Sequence, residues 1–198
     1  FLKKKYFTKE MTWSLVTLFI LGALQAAIGW IMVQSGLNDD DLYVSHIRLS
    51  IHFICAFMLL AFEIWLLMKV WIKEELRINA SSLKALIGGT IVLLLVQFAY
   101  GAFMAGLKAA PAAPTWPDIN GFIIPPTLGE GSWTDSTINV HFIHRGIAYI
   151  LAVLVGMITY KLVQLQKVAQ NPYLKQFMWL PLVFVIIQIT LGVLSVLN

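Results

Sequence analysis

The sequence predicts an all-α fold, a polytopic bundle of transmembrane helices. Three observations support this prediction: 59% of the 198 residues are hydrophobic, only 12% are charged, and the apolar residues are concentrated in five long runs. A soluble globule of this size would expose more polar surface than this composition provides. A membrane span needs about 20 apolar residues. The runs that meet this length lie at roughly residues 12–34, 44–68, 85–107, 139–160 and 177–197.

Charged residues between the runs predict the orientation of the spans. The basic residues flank alternate connections: Lys3, Lys4, Lys5, Lys9, Lys69, Lys73, Arg77, Lys84, Lys161, Lys167 and Lys175. Connections 37–43 and 108–138 are acidic instead. By the positive-inside rule the basic regions face the cytoplasm and the acidic loops face outward. In a mitochondrion the same rule would place the basic regions on the matrix side; of the two membranes we expect the bacterial cytoplasmic membrane rather than the mitochondrial inner membrane. The net charge of +4 reflects topology rather than nucleic-acid binding.

The ends of the sequence indicate a fragment of a longer protein. The chain begins with Phe1 rather than Met, and its last apolar run ends at Asn198 without a flanking charge. Its single cysteine, Cys55, lies inside a predicted span, so no disulfide can form within the chain.

The second and fourth runs carry histidine and arginine near their predicted outer ends. These residues are His46, Arg48 and His52 in the second run, and His141, His144 and Arg145 in the fourth. Ionisable side chains at bilayer depth are costly and usually face a bundle interior or a functional site. Histidines from facing helices can clamp a heme iron, while arginine at the wet end can neutralise the propionates. The alternatives are arginines that snorkel to the headgroups and histidines that make only structural hydrogen bonds.

A second motif, Gln-x-x-x-Gly, recurs in the odd-numbered runs. Its three copies are Gln25 to Gly29, Gln97 to Gly101 and Gln188 to Gly192. Residues four apart share a helix face, where Gly allows close approach and Gln can hydrogen-bond a neighbour or a cofactor edge. Ordinary helix packing also explains the glycines. The alternation of this motif with the His-bearing runs predicts a repeated helical hairpin and a duplicated bundle.

This repeat predicts the domain organisation. Residues 1–72 form the end of an N-terminal half, 73–84 a cytoplasmic linker, and 85–198 a C-terminal half. The prolines and glycines of loop 108–138 prevent a long helix, whereas Trp116 and Trp133 make it too apolar for a free tail. We expect this loop to cap the outer end of the bundle. Glu63, a carboxylate within a span, belongs either to a proton path or to the inner headgroup region.

Taken together, these stretches resemble the heme A synthase family. The matching pieces are LGALQAAIGWIMVQSGL (21–37), VSHIRLSIH (44–52), GAFMAGL (101–107), TWPDING (115–121), IPP (124–126) and FIHR (142–145). The resemblance implies eight spans in two four-helix halves, each binding one heme between two axial histidines. This chain then corresponds to spans three to seven, and the partner ligands and an expected acidic catalytic residue lie outside it.

The resemblance also implies a reaction, in which a methyl group of heme O is oxidised to the formyl group of heme A with a b-type heme as cofactor. His52 and His144 would be iron ligands. On this pattern the substrate heme contacts His52, Arg48 and Gln25, and the cofactor heme contacts His144, Arg145, Gln97 and Trp116. His46, His141 and Glu63 receive no role from the resemblance.

The implied partners are heme O, heme O synthase, cytochrome oxidase assembly factors and the lipid bilayer, with a homo-oligomer permitted and no nucleic acid. The main alternative is a non-enzymatic dihaem b-type electron-transfer subunit, whose histidines would look similar. The Thr-Trp-Pro loop and the Gln-x-x-x-Gly repeat favour the synthase. A zinc site and a Ser/His/Asp hydrolase lack the residue clusters they require.

Overall fold

The computed structural model describes residues 8–36, 42–72 and 80–197, most of which are helical. The helices are α1 (Lys9–Val33), α2 (His46–Trp71), α3 (Ser81–Gly106), α4 (Thr137–Ala169), α5 (Pro172–Phe177) and α6 (Leu180–Leu197). Five helical segments are long and apolar enough to cross a membrane, the fifth running from Pro172 to Leu197. The prediction of an all-α integral membrane protein with five spans is confirmed.

The longest helix continues beyond the apolar run that predicted it. α4 extends past residue 160 to Ala169, because the glutamines and lysines that follow the apolar run are good helix formers. It ends where Gln170 adopts a left-handed backbone conformation (φ 47°). Asn171 then caps α5 by accepting a 3.0 Å hydrogen bond from the Leu174 backbone N–H. A change of direction therefore separates α4 from the last span.

The chain divides into two compact units, Phe1–Ile78 and Asn79–Asn198. In the first unit α1 packs against α2 as a hairpin. Thr8 caps α1 through the Met11 backbone N–H, and Ser45 caps α2. Glu10 at the start of α1 forms an ion pair with Lys69 near the end of α2, which closes the hairpin at its predicted inner end.

In the second unit α4 packs against both α3 and α6. It is the most buried of the described helices, whereas α1 and α6 have no buried residue over their described lengths. The large apolar side chains exposed on α1 and α6 are therefore stable only against lipid or further protein.

Loop 107–136 connects α3 to α4 and folds onto the second unit. It contains a 3₁₀ turn at Ala110–Ala112 and a tight turn in which Ile119 and Phe122 exchange backbone hydrogen bonds of 2.8 and 3.1 Å. Its residues Ala109, Ala113 and Ile119 are buried. The loop is thus a folded element, as its apolar content predicted.

Several sequence predictions concern residues outside the described ranges. They include residues 73–79 of the predicted linker 73–84, the lysines at 3–5, and acidic residues 39–41. The last part of that linker, residues 81–84, belongs to α3. The proposed boundaries between halves stay a prediction.

Candidate functional site

In the first unit, His52 on α2 lies against the face of α1 that carries Gln25 and Gly29. The Gln25 side-chain Nε2 donates a 3.0 Å hydrogen bond to the His52 backbone carbonyl and lies 3.1 Å from the ring Nδ1. A Cβ atom added to Gly29 would lie 2.9 Å from His52 Cε1. Such close approaches essentially never occur, so the imidazole occupies space that only a glycine leaves free.

The second unit contains the same arrangement between α3 and α4. Gln97 Nε2 lies 3.4 Å from His144 Nε2, and a Cβ atom added to Gly101 would lie 3.3 Å from His144 Cε1. In both hairpins, therefore, the imidazole of the second helix lies on a glutamine and a glycine one turn apart on the first. The repeat seen in the sequence has a structural counterpart in each unit.

The third copy of the motif differs. Gln188 on α6 is exposed, and a Cβ atom added to Gly192 would meet nothing within 4 Å among the described residues. Within the described residues the motif therefore occurs three times, and two of its copies contact a histidine.

The surroundings of both imidazoles fit an iron-bound heme. Gln25 Nε2 lies 3.1 Å from one ring nitrogen of His52 and 3.5 Å from the other, so it sits beside the ring rather than in line with a single lone pair. In the second hairpin, His144 Nδ1 and Gln97 Oε1 are buried and have no hydrogen-bond partner among the described residues. A buried unpaired polar atom costs about 1–3 kcal/mol. A group bound at this imidazole, such as a heme iron, would offset part of that cost.

Arg145 follows His144 directly and binds the backbone of loop 107–136. Its Nη1 donates to the carbonyls of Thr115 (2.9 Å) and Asp118 (2.7 Å), and its Nη2 donates to the carbonyl of Ala113 (2.8 Å). These bonds use three of the five N–H donors of a guanidinium. Arg145 therefore anchors the loop beside His144, and its contact with a heme propionate stays a prediction.

Two further polar residues at the start of α4 hold the same loop. His141 is completely buried, and its Nε2 donates a 2.8 Å hydrogen bond to the Ala109 carbonyl. Asn139 accepts a 2.9 Å bond from the Gly129 backbone N–H, and its amide donates to the carbonyls of Glu130 and Ser132. For His141 the sequence left heme binding and a structural hydrogen bond open, and Asn139 was not among the predicted site residues. The sequence feature that could have identified both residues is a pair of polar side chains at the start of an apolar run, directly after an irregular loop.

The part of the loop held by Arg145 has its own polar network. The Thr115 hydroxyl donates a 2.6 Å hydrogen bond to the Asp118 carboxylate, which also accepts a 2.8 Å bond from the Gly121 backbone N–H. The bond from Thr115, then that from Gly121, and the charge of Arg145 hold the pKa of Asp118 below its usual value. A carboxyl with a depressed pKa contributes stability that is lost as the pH falls through that pKa. The turn is therefore more stable at neutral pH than at acidic pH.

Replacing Arg145 with lysine should loosen loop 107–136. A single ammonium group lacks the planar fork that reaches three carbonyls, and each lost bond costs about 0.5–1.5 kcal/mol. Limited proteolysis of the purified protein should show faster cleavage within the loop. Arg48→Lys is the matched control, because Arg48 donates one 3.2 Å bond to the Ile31 carbonyl in the first unit. Equal loop cleavage in Arg145→Lys and the parent protein would contradict the anchoring role.

Two other predicted heme contacts lie at the edges of these hairpins. Arg48 joins α2 to the last turn of α1 through its bond to Ile31 and is exposed. Trp116 lies in the loop segment that Arg145 holds and is 43% exposed. Their roles in heme binding stay predictions.

Comparison with known proteins identifies the family. The family model COX15-CtaA, described as cytochrome oxidase assembly protein, matches residues 1–198. The chain belongs to this family. It is 34% identical over 204 residues to a heme A synthase of Flavobacterium psychrophilum, 35% over 207 residues to one of Bradyrhizobium diazoefficiens, and 32% over 205 residues to one of Wolbachia pipientis wMel. The predicted resemblance is thereby confirmed.

Each of these alignments covers all of this chain but only 59%, 55% and 55% of the respective relative. The chain therefore spans somewhat more than half the length of these curated members of the COX15-CtaA family. No solved structure matches the chain.

Proposed function

We propose that this chain is part of a heme A synthase. This membrane oxidoreductase would oxidise a methyl group of heme O stepwise to the formyl group of heme A, for cytochrome oxidase maturation. The observation that carries the proposal is the repeated placement of a histidine on a Gln-x-x-x-Gly face in a member of the COX15-CtaA family. One such histidine serves the substrate and the other serves a cofactor.

In this proposal His52 is an axial ligand of the substrate heme O, with Gln25 beside the ring and Arg48 near a propionate. His144 would hold a heme b cofactor through its imidazole. Heme b, when bound, supplies a redox centre that accepts or donates one electron at a time. The protein holds and orients both macrocycles through side chains whose positions are set by helix packing.

The second hairpin also holds a folded loop next to the helix end that carries His144. Arg145, adjacent to that ligand, uses three hydrogen bonds to hold loop 107–136 at the outer end of α4. His141 and Asn139 fasten further parts of the same loop. We propose that the loop covers this end of the site, with Trp116 at its edge toward the cofactor.

We further propose that the His-bearing helix ends and loop 108–138 face outward from a bacterial cytoplasmic membrane. The support is the distribution of charge. Lys9 is the first residue of α1, and Lys69 and Lys167 lie in the last turns of α2 and α4, so all three lie at the predicted inner ends of their helices. Heme O synthase and oxidase assembly factors in the same membrane are the proposed partners, and a homo-oligomer is compatible with the exposed apolar faces of α1 and α6.

Pigment extracted from the full-length protein tests the proposed function. Produced in cells that make heme O, the purified protein should carry heme A or its hydroxylated precursor together with heme B. Produced in cells without heme O, it should carry heme B alone. Heme B as the only pigment under both conditions would contradict the proposal and favour an electron-transfer subunit.

A further inference from the structure

We propose that Gly29 and Gly101 are positioning residues that set the orientation of the His52 and His144 imidazoles, and that the contact at Gly29 is the tighter. Each glycine, with the glutamine one turn before it, is called an imidazole seat below. The consequence for heme rests on the proposed function, because it takes both imidazoles as iron ligands. The orientation of the two imidazole rings by these glycines does not depend on the proposed function.

The first seat surrounds one edge of the His52 ring. A Cβ atom on Gly29 would lie 2.9 Å from Cε1, 3.3 Å from Nδ1 and 3.7 Å from Nε2. Three ring atoms would therefore lie within 4 Å of a single methyl group added to the α1 backbone at this position. The ring has no space to move closer to α1, and a methyl group there would push it away.

The second seat presents the same edge of the ring with more space. A Cβ atom on Gly101 would lie 3.3 Å from His144 Cε1 and 3.9 Å from Nδ1, with no other ring atom within 4 Å. In both hairpins Cε1 is the ring atom closest to the glycine and Nδ1 is the second. The two seats thus contact the same edge of the imidazole, the edge formed by Cε1 and Nδ1.

A glutamine completes each seat, although Gln25 lies closest to Nδ1 of His52 whereas Gln97 contacts Nε2 of His144. Gln25 is tied to the His52 backbone carbonyl at 3.0 Å while its Nε2 lies beside the ring. Gln97 reaches His144 at 3.4 Å without a comparable backbone tie in the described residues. Both the glycine and the glutamine distances therefore indicate a tighter first seat. A histidine in that seat tolerates less displacement before its ring must turn.

The helices supply matched controls for glycine substitution. A Cβ atom added to Gly22 in α1, or to Gly88 in α3, meets nothing within 4 Å in the part of the chain that the structure describes. Alanine favours a helix more than glycine does, so Gly22→Ala and Gly88→Ala should leave the fold intact or slightly stabilised. Gly29→Ala and Gly101→Ala make the same chemical change in the same two helices, but each adds a methyl group against an imidazole.

Two measurements on the full-length protein test the seats, one of which needs no heme. The first is NMR of the heme-free protein with ¹⁵N-labelled histidine, where Gly29→Ala should shift the ring-nitrogen signals of His52. Gly101→Ala should shift those of His144 by a smaller amount, and the two controls should shift neither. The second is electron paramagnetic resonance and the midpoint potential of the heme-loaded protein, which report the orientation of axial imidazoles and should change in the same order.

The outcomes separate failure of this proposal from failure of the proposed function. Ring signals and heme spectra in Gly29→Ala and Gly101→Ala that match those of Gly22→Ala and Gly88→Ala would overturn the seats, even with heme bound. A protein that binds no heme but shows the ordered ring shifts would retain the seats and overturn heme ligation. If Gly29→Ala does not fold, the ring signals of His144 in Gly101→Ala and then in Gly101→Ser test the proposal instead. These variants should fold, because a 3.3 Å contact can be relieved by a small movement of the ring.

Discussion

Replacing His144 with alanine in the full-length protein is expected to remove the b-type heme that we propose it binds. The imidazole lies against Gly101 and Gln97, and alanine offers the iron no replacement ligand. Mutation of groups that merely support a metal ligand already costs about 10–100-fold in affinity, so loss of the ligand should cost at least that much. The visible spectrum and the heme-to-protein ratio of purified protein measure the effect.

His141→Gln is the control for this substitution. His141 lies one turn before His144 but donates to the Ala109 carbonyl, a role that a glutamine amide can retain. The control should keep its heme. An unchanged Soret band and heme ratio in His144→Ala would defeat the assignment of His144 as a ligand.

Replacing His52 with alanine is expected to abolish conversion of heme O while most cofactor heme remains bound. His52 and His144 belong to different compact units, so the α3 and α4 hairpin should be intact in this variant. The rate should fall by about 100-fold or more, by the same comparison with supporting residues. Heme A formation, measured by chromatography of extracted pigment, gives the rate, and absorbance gives the retained heme.

His46→Gln is the control in the first unit. His46 is the first residue of α2, and the Gln25 and Gly29 contacts are made by His52 instead. The control should convert heme O at close to the parent rate. Near-normal conversion in His52→Ala, or equal loss in both variants, would remove His52 from the substrate site.

The spans were predictable because hydropathy is a local property. A membrane helix must satisfy its backbone within itself, so a run of about 20 apolar residues is sufficient evidence for it. The end of α4 was less predictable, since Gln164 and Lys167 are polar yet favour a helix, and the break occurs only at Gln170 and Asn171. Hydropathy identifies the segments that span the membrane, whereas helix propensity and capping determine where each helix ends.

The candidate site was predictable in its residue types but not in all its contacts. The motif Gln-x-x-x-Gly and the histidines His52 and His144 were recognisable because each is unusual in an apolar run. Arg145 was expected at a heme propionate, and the structure adds three bonds to loop carbonyls. Backbone carbonyls carry no sequence signal, so a partner of this kind is invisible until the loop is folded.

The sequence by itself determined that this is an all-helical membrane protein with repeated His-bearing hairpins, because residue type and spacing along one helix suffice for both conclusions. Tertiary structure alone decided which histidine meets which glycine, that His141 and Asn139 hold the loop, and that Gly29 fits more tightly than Gly101. Those facts depend on the distance and rotation between the two helices of each hairpin and on how the loop folds against α4. Such distances are set by the packing of whole surfaces, to which every residue of both helices contributes.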